Sequence, residues 1–509
     1  MAIDTPPPLT GGKLAMAAIV LSLANFMVVL DTTITNVAMP TIAGDLGVST
    51  TEGTWIITSY AVAEAITVPL TGWLTRAFGQ VRLFTLSVVT FVIFSICCGL
   101  ARSLEALVLF RVLQGLAGGP LIPLSATLML AVFPKHKSNV ALSLWGMMTV
   151  VAPIFGPILG GLISDNISWP WVFYINIGFG LFVFLGAQAV LRRHESAVQR
   201  SRIDAVGLGL LVVFVTAFQL MIDRGRELDW FASSFIVTSA VVALTSVVLL
   251  VIWELTDEDP ALDLSVFKSR NWLASTVALS LMFGIFFGSI VLTPLWLQQQ
   301  MGYTATWAGF ATAPMGILAV VSAPIVGRLM SKVDARWIVS IGMGVLAVSF
   351  FMRAHLNTQA DYMSVAVPMF VLGAGIPACI ICLTSLGVSD LPAANVTGGA
   401  GLQNFLRILS MAVGASFTQT YWEHMAKVRR AELVAELDPT QTGPLVEAAA
   451  RALGSEASAA ALFARQIDAQ AVMLATNDFY AMASILMLAS SLVVWLIKRP
   501  TTPLKTVAH

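Results

Sequence analysis

Leu30-Asp-Thr-Thr-Ile-Thr-Asn-Val-Ala-Met-Pro40 lies inside the first long apolar stretch of the chain and places a carboxylate, Asp31, at a depth where lipid would otherwise be. An ionisable side chain within a membrane helix is costly and normally faces a water-filled cavity or a partner. Asp31 is therefore a functional-site candidate. The same apolar character extends outward over the whole sequence. Of its 509 residues 57% are hydrophobic and 11% charged, and the mean hydropathy is +0.84. Soluble domains carry roughly 25% charged residues, so the chain reads as an all-α polytopic membrane protein. Its formal net charge is zero, which gives no reason to expect nucleic acid. No basic region precedes the first apolar segment, which is too long for a signal sequence, so an uncleaved first span is expected.

A window of about 20 apolar residues finds fourteen candidate spans, the first near 14–40 and the last near 478–498. An even number puts both termini on one side. With the N-terminus inside, Lys13, Arg76, Arg82, Lys135, Lys137, Arg192, Arg193 and Lys268 fall in cytoplasmic loops. The short outside loops then hold Arg102, Arg224, Arg226 and Arg353. The positive-inside rule accordingly places both termini in the cytoplasm. The expected organisation is a cytoplasmic N-terminus (1–13), an N-terminal six-helix bundle (14–191), two linking transmembrane helices (192–270), a C-terminal six-helix bundle (271–498) and a cytoplasmic C-terminus (499–509). Within the second bundle, the polar, Ala-rich stretch 425–477 reads as an extracytoplasmic helical loop, divided by Pro439 and Gly443-Pro444. It is either a solvated cap or a docking surface. A weak repeat supports two halves: Pro69-Leu-Thr-Gly72 in the region of the second span, Pro324-Ile-Val-Gly327 in that of the tenth.

Four charges are expected deep in the spans: Asp31, Glu64, Arg111 and Arg407. The first three belong to the N-terminal half and form the candidate proton-coupling group. Burial disfavours an ionised carboxylate and a nearby guanidinium favours it, so a small rearrangement can load or release a proton. The alternative for Asp31 and Arg111 is a static buried ion pair. Trp145, Met147, Phe283, Phe287, Trp296, Gln299, Asn404 and Arg407 are candidate substrate-cavity residues, because Met and aromatic side chains make an adaptable apolar pocket. Cys97, Cys98, Cys379 and Cys382 sit in apolar runs as small hydrophobes. The five histidines are scattered without metal-ligand spacing, so neither a metal nor a cofactor is expected. No nucleophile or phosphate loop suggests an enzyme, and two repeated halves argue against a channel. A receptor that reuses a transporter fold stays open.

Further segments carry a family likeness: Gly72-Trp-Leu-Thr-Arg-Ala-Phe-Gly79-Gln-Val-Arg82, Arg111-Val-Leu-Gln114-Gly115-Leu-Ala-Gly118-Gly119, and Ala152-Pro153-Ile-Phe-Gly156-Pro157-Ile-Leu-Gly160-Gly161 followed by Trp169-Pro-Trp171-Val-Phe-Tyr-Ile-Asn176. In order, on fourteen spans and with the Asp31–Pro40 signature, they resemble the major facilitator superfamily and, within it, the fourteen-span drug:proton antiporters. The resemblance implies a major facilitator fold of two six-helix bundles plus two additional helices. It implies export of hydrophobic or amphipathic drugs across the bacterial inner membrane, driven by the proton gradient without a cofactor. It also implies a periplasmic adaptor of EmrA type and an outer-membrane channel of TolC type. Pro153, Gly156, Pro157, Gly160 and Gly161 would form the antiporter motif, a tightly packed, bent helix that seals against proton leak. One departure stands out: the superfamily's acid four residues after Gly72 is Arg76 here. Arg82 then binds helix ends or anionic lipid headgroups, or is a plain positive-inside anchor. The runner-up function is a same-fold, proton-coupled exporter of one metabolite such as a fatty acid or siderophore.

Overall fold

The computed structural model describes residues 8–134, 137–196, 198, 204–257, 262–392, 395–436, 450–452 and 455–498. Among the described residues fourteen long helical rods follow one another. The first six are α1 (Gly11–Asp45), α2 (Trp55–Phe78), α3 (Gln80–Leu100), α4 (Leu104–Gly118 and Leu121–Val132), α5 (Ser138–Asn166) and α6 (Trp171–Val190). Next come α7 (Ala205–Gly225) and α8 (Ser234–Thr256). The last six are α9 (Arg270–Gln299), α10 (Ala305–Thr312 and Pro314–Leu329), α11 (Ala335–Arg353), α12 (Tyr362–Val388), α13 (Val396–Ala435) and α14 (Glu456–Val494). No strand occurs among the described residues. Among the described residues eleven rods are long and apolar enough to cross a membrane, and twelve when the bent α5 is taken as one span. The other two, α2 and α13, are diluted by polar residues such as Thr58, Glu64, Asn404 and Arg407. Ile93, Leu181, Leu244, Ile341 and Leu492 are exposed, and apolar exposure on this scale belongs against lipid. The chain is a multi-pass membrane protein.

Helix pairing repeats at an offset of eight rods. α1 packs on α5 and α6, α2 on α4, and α3 on α4 and α6; likewise α9 packs on α13 and α14, α10 on α12, and α11 on α12 and α14. The two sets meet crosswise through α2 with α13 and α5 with α10, contacts that exchange under the same offset. Pro69 in α2 and Pro324 in α10 occupy corresponding rods, which accounts for the repeat in sequence. α7 and α8 pack on each other, and α7 also touches α2 and α13. One of the two extra helices thus lies on the seam.

Prolines set the local shape. Pro120 and Pro314 each stand where a rod expected to be continuous divides, since proline lacks the N–H that the preceding turn would use. α5 bends by 43° between Leu144–Pro153 and Ile158–Ser164. Beside the bend the glycines allow close packing: Gly156 abuts Thr33, and a Cβ at Gly160 would sit 3.0 Å from the Ile34 carbonyl oxygen of α1. Gly161 turns toward Thr306 of α10. The Pro157 side chain lies outside the described residues.

The stretch 425–477 differs from expectation. α13 and α14 have 40 and 39 residues, or about 60 Å each at 1.5 Å per residue, against a hydrocarbon core of about 30 Å. The described part of the stretch therefore continues the last two rods, because nothing between Val396 and Ala435 breaks an Ala-rich helix. Arg430 bonds Asp468 at 2.6 Å and Arg429 bonds Asp478 at 2.7 Å, tying the extensions together. Pro439 and Gly443-Pro444 lie outside the described residues.

The α2–α3 loop is capped by a carboxylate from elsewhere in the chain. Gly79 has φ +88° and would collide with Glu195 if it carried a Cβ. The Glu195 carboxylate, from the segment after α6, accepts from the backbone N–H groups of Val81 at 3.0 Å and Arg82 at 2.9 Å. It caps the first turn of α3, where N–H groups lack helical partners.

Candidate functional site

Asp31 is wholly buried between α1, α4 and α6. Arg111 Nη1 donates to its Oδ2 at 2.6 Å, while Gln114 Nε2 and Asn176 Nδ2 donate to Oδ1 at 3.0 and 2.6 Å. Arg111 is held in turn: its Nε donates to the Ile56 carbonyl at 3.1 Å, and the guanidinium lies 4.0 Å from the Tyr60 ring centre. Asn176 also donates to Ser95 Oγ at 2.9 Å, and Ser95 to the Phe173 carbonyl. Buried charge is tolerated when it is paired and its remaining lone pairs are satisfied. This network meets that condition.

A cavity of about 430 Å³ lies on the seam, lined from α1, α2, α4, α5, α7, α9 and α13. That volume suits a small molecule. Phe283, Phe286, Phe287 and Met411 supply apolar surface, Pro153 comes from the bend of α5, and Glu64 and Arg407 bring opposite charges from the two halves. The Glu64 carboxylate has no hydrogen bond or ion pair within the described residues. Arg407 lies 4.8 Å from the Phe283 ring centre, and its Nε lacks an acceptor. A carboxylate and a guanidinium that can answer each other across an apolar space, without being locked together, can respond to a proton or a ligand.

The sequence-based groups are thus divided. Asp31 and Arg111 come together inside the N-terminal half and do not themselves line the cavity, although its wall includes Thr32, next to Asp31 in the chain, and both charges act on Glu64. Of the expected cavity residues, Phe283, Phe287 and Arg407 line it. Trp145 instead turns into the N-terminal half and donates to Ser125 Oγ at 2.8 Å, with Met147 packed on the neighbouring core. Trp296 is 1% exposed, in the core of the second half, and Gln299 is exposed at the end of α9. Nine residues, two and a half helical turns, separate Phe287 from Trp296, so they face opposite ways. Asn404 is buried one turn from Arg407 and does not line the cavity.

Other groups escaped the sequence reading. Gln114 and Asn176 stood within quoted motifs without a role; the signal was a carboxamide in an apolar run. Asp223 on α7 lines the cavity, although it lies one residue beyond the seventh apolar stretch of the sequence, 203–222. Arg353, assigned to an outside loop, is wholly buried. Its Nη1 donates to Ser289 and Thr293 hydroxyls at 2.8 and 3.2 Å, and Phe350 and Tyr480 rings flank it at 4.9 and 4.5 Å. A charged residue at a helix end reads as loop in a hydropathy window, yet this side chain folds back into the bundle.

Residues 21–415 match the Major Facilitator Superfamily. The chain belongs to the major facilitator superfamily. Multidrug export protein EmrB of Haemophilus influenzae is 45% identical over 499 residues, covering 97% of this chain and 98% of that protein. Fatty acid resistance protein FarB of Neisseria gonorrhoeae is 42% identical over 497 residues, covering 97% and 98%. Among solved structures, the human organic anion transporter MFSD10 matches with a TM-score of 0.56 over 94% of this chain and all of that one, at 12% identity. That last likeness concerns the fold alone. In this major facilitator protein the seam cavity and the crosswise contacts α2–α13 and α5–α10 belong to one arrangement: the rods that join the halves also supply Glu64, Pro153 and Arg407.

Proposed function

We propose that the chain is a proton-coupled multidrug efflux transporter of the bacterial inner membrane, exchanging protons for hydrophobic or amphipathic compounds. The observation that carries this reading is Glu64: a carboxylate free of bonded partners, lining an apolar cavity on the seam between two repeated helix sets, with Arg407 opposite. Proton loading of Glu64 and substrate release are coupled when both compete for the same space and charge. The relative named as a multidrug export protein supports the same direction. The fourteen rods are read as fourteen spans with both termini in the cytoplasm, 14–191 and 271–498 as the rocking halves, and 192–270 as their link. Asp31 and Arg111 brace the N-terminal half, and the Pro153–Gly161 segment of α5 seals it against leak by close packing. The extensions of α13 and α14 dock a periplasmic adaptor that leads to an outer-membrane channel. No cofactor enters the cycle.

A second reading has its own observation. The unpartnered Nε of Arg407 beside Phe283 would also suit a carboxylate on an apolar tail, and one relative is named for fatty acid resistance. Proteoliposomes holding the purified protein under an imposed proton gradient separate the two. Gradient-dependent movement of several unrelated hydrophobic drugs is expected; movement of fatty acids alone selects the second reading, and movement of neither sinks both.

A further inference from the structure

α7 belongs to neither six-helix set, yet its last turns form one wall of the seam cavity with Gln219, Ile222, Asp223, Arg226 and Glu227. It is pinned to both sets there. Thr58 Oγ1 of α2 donates to Asp223 Oδ2 at 2.5 Å, and Ser416 Oγ of α13 donates to the Ile222 carbonyl at 3.0 Å. Arg226 pairs with Glu423 of α13 at 2.7 Å.

The charges around this cavity do not cancel. Arg226 is paired with Glu423, Glu227 with Arg224 at 2.9 Å, and Glu64 stands with Arg407 as its opposite charge. Asp223 remains. Its two oxygens accept from neutral donors, Thr58 and Gln219 Nε2 at 3.0 Å; Arg224 acts on it electrostatically but is ion-paired with Glu227, so among the described residues no cation is within ion-pair distance of Asp223. Each carboxylate oxygen has two lone pairs, so acceptor capacity is left on both. Thr58 lies six residues before Glu64 on α2, which places Asp223 roughly 9 Å nearer than Glu64 to the end of the cavity where Arg226 and Glu227 are exposed. An apolar pocket that holds one fixed, uncompensated carboxylate near its mouth and aromatic rings within is shaped for a cation with an apolar body.

We propose that Asp223 is a specificity-determining residue of the cavity: it receives the positively charged group of an amphipathic substrate whose apolar body rests against Phe283, Phe286 and Phe287. This deepens the export reading by naming a substrate class, and it gives a linking helix a direct part in recognition. Glu64 and Arg407, deeper in, are left to the proton.

Tetraphenylphosphonium and tetraphenylborate have nearly the same size and apolar surface and opposite charge, so they isolate the role of the carboxylate. Binding of each to the purified full-length protein in detergent is measured by titration calorimetry, without any transport step. Wild type is expected to bind the cation in preference to the anion. Asp223→Asn should weaken the cation roughly tenfold, in line with the loss of one part-buried charge interaction, and leave the anion unchanged or tighter. Asp223→Glu should restore most of the loss, which guards against a folding defect. Equal binding of the cation by wild type and Asp223→Asn, or no binding of it by wild type, overturns the proposal. Cation binding that depends on Asp223, in a protein that moves nothing in proteoliposomes, would instead overturn the export reading and leave the recognition site standing.

Discussion

Asp31 and Glu64 stand on neighbouring helices of the same half, and both are largely removed from solvent, at 0% and 9% exposure. Around Asp31 an arginine and two carboxamides fill both oxygens. Around Glu64 no donor bonds the carboxylate among the described residues, and the space in front of it is a cavity. To change the charge of Asp31 a whole network must be dismantled, whereas Glu64 can change state with nothing broken. Depth in the membrane marks both as costly, but the number of donors separates a brace from a candidate carrier.

The sharpest way to break this comparison is Glu64→Gln. Exchange of drug for protons in proteoliposomes should fall to background, while the yield of monodisperse protein stays at the wild-type level. Full exchange in this variant would remove Glu64 from the cycle. The opposite profile is expected for Arg111→Ala, which leaves the Asp31 charge buried and unpaired. Breaking one side of such a pair costs about 3–5 kcal/mol, a large share of a typical stability of about 5–15 kcal/mol. Thermal unfolding in detergent should show the loss directly. Replacing both partners, Asp31→Asn with Arg111→Met, should cost less than Arg111→Ala alone. If it costs more, the network matters beyond its charge balance.

Much of the fold was legible because membrane helices announce themselves by length and apolarity; each rod overlaps a stretch read as a span, while α13 and α14 run on well beyond theirs. A close approach at Gly156 and Gly160 was legible too, since small residues four apart let helix backbones meet, but that the neighbour is α1 was not. The candidate site was only half legible. Asp31, Glu64, Arg111 and Arg407 could be singled out as charges out of place, but which of them meet depends on rod pairing and helical phase. Hence Trp296 and Trp145 were assigned to a cavity they do not line. Asp223 and Arg353 were missed for one reason: near a helix end, hydropathy cannot tell a side chain that leaves the bundle from one that turns back into it.

The loops α2–α3 and α10–α11 extend the comparison from charges to caps. Asp334 caps its own helix, accepting from the Arg336 N–H at 3.1 Å, and its identity can be read locally. The α2–α3 loop has Gly79 at that place and borrows Glu195 from more than a hundred residues away. A cap supplied at a distance is invisible to any local pattern. Gly79→Ala would force a Cβ into a positive-φ conformation (φ 88°, ψ 150°) that essentially only glycine adopts, and against the Glu195 carboxylate. The conformational part alone costs about 1–3 kcal/mol, so a lowered unfolding temperature is expected. A neutral outcome would mean that Glu195 moves aside freely and that the cap contributes little.

The smallest effect belongs to Arg226 and Glu423, and it tests whether burial governs the larger ones. Their separation, 2.7 Å, is nearly the same as the 2.6 Å between Arg111 and Asp31, but the side chains are 40% and 44% exposed rather than 1% and 0%. Water solvates the exposed charges in either state, and ordering two long side chains offsets much of the attraction, so such pairs contribute about 0–1 kcal/mol. Arg226→Gln should accordingly shift thermal stability by less than about 1 kcal/mol, and the shift should shrink further in high salt, where exposed charges are screened. Arg111→Ala should remain severe at every salt concentration, because its partner is closed off from solvent. A salt-resistant loss for Arg226→Gln comparable to that of Arg111→Ala would show that the pair at the end of α7 is buried when the protein is in its membrane. The distinction between a bracing ion pair inside the half and an adjustable one at the cavity mouth would then fail.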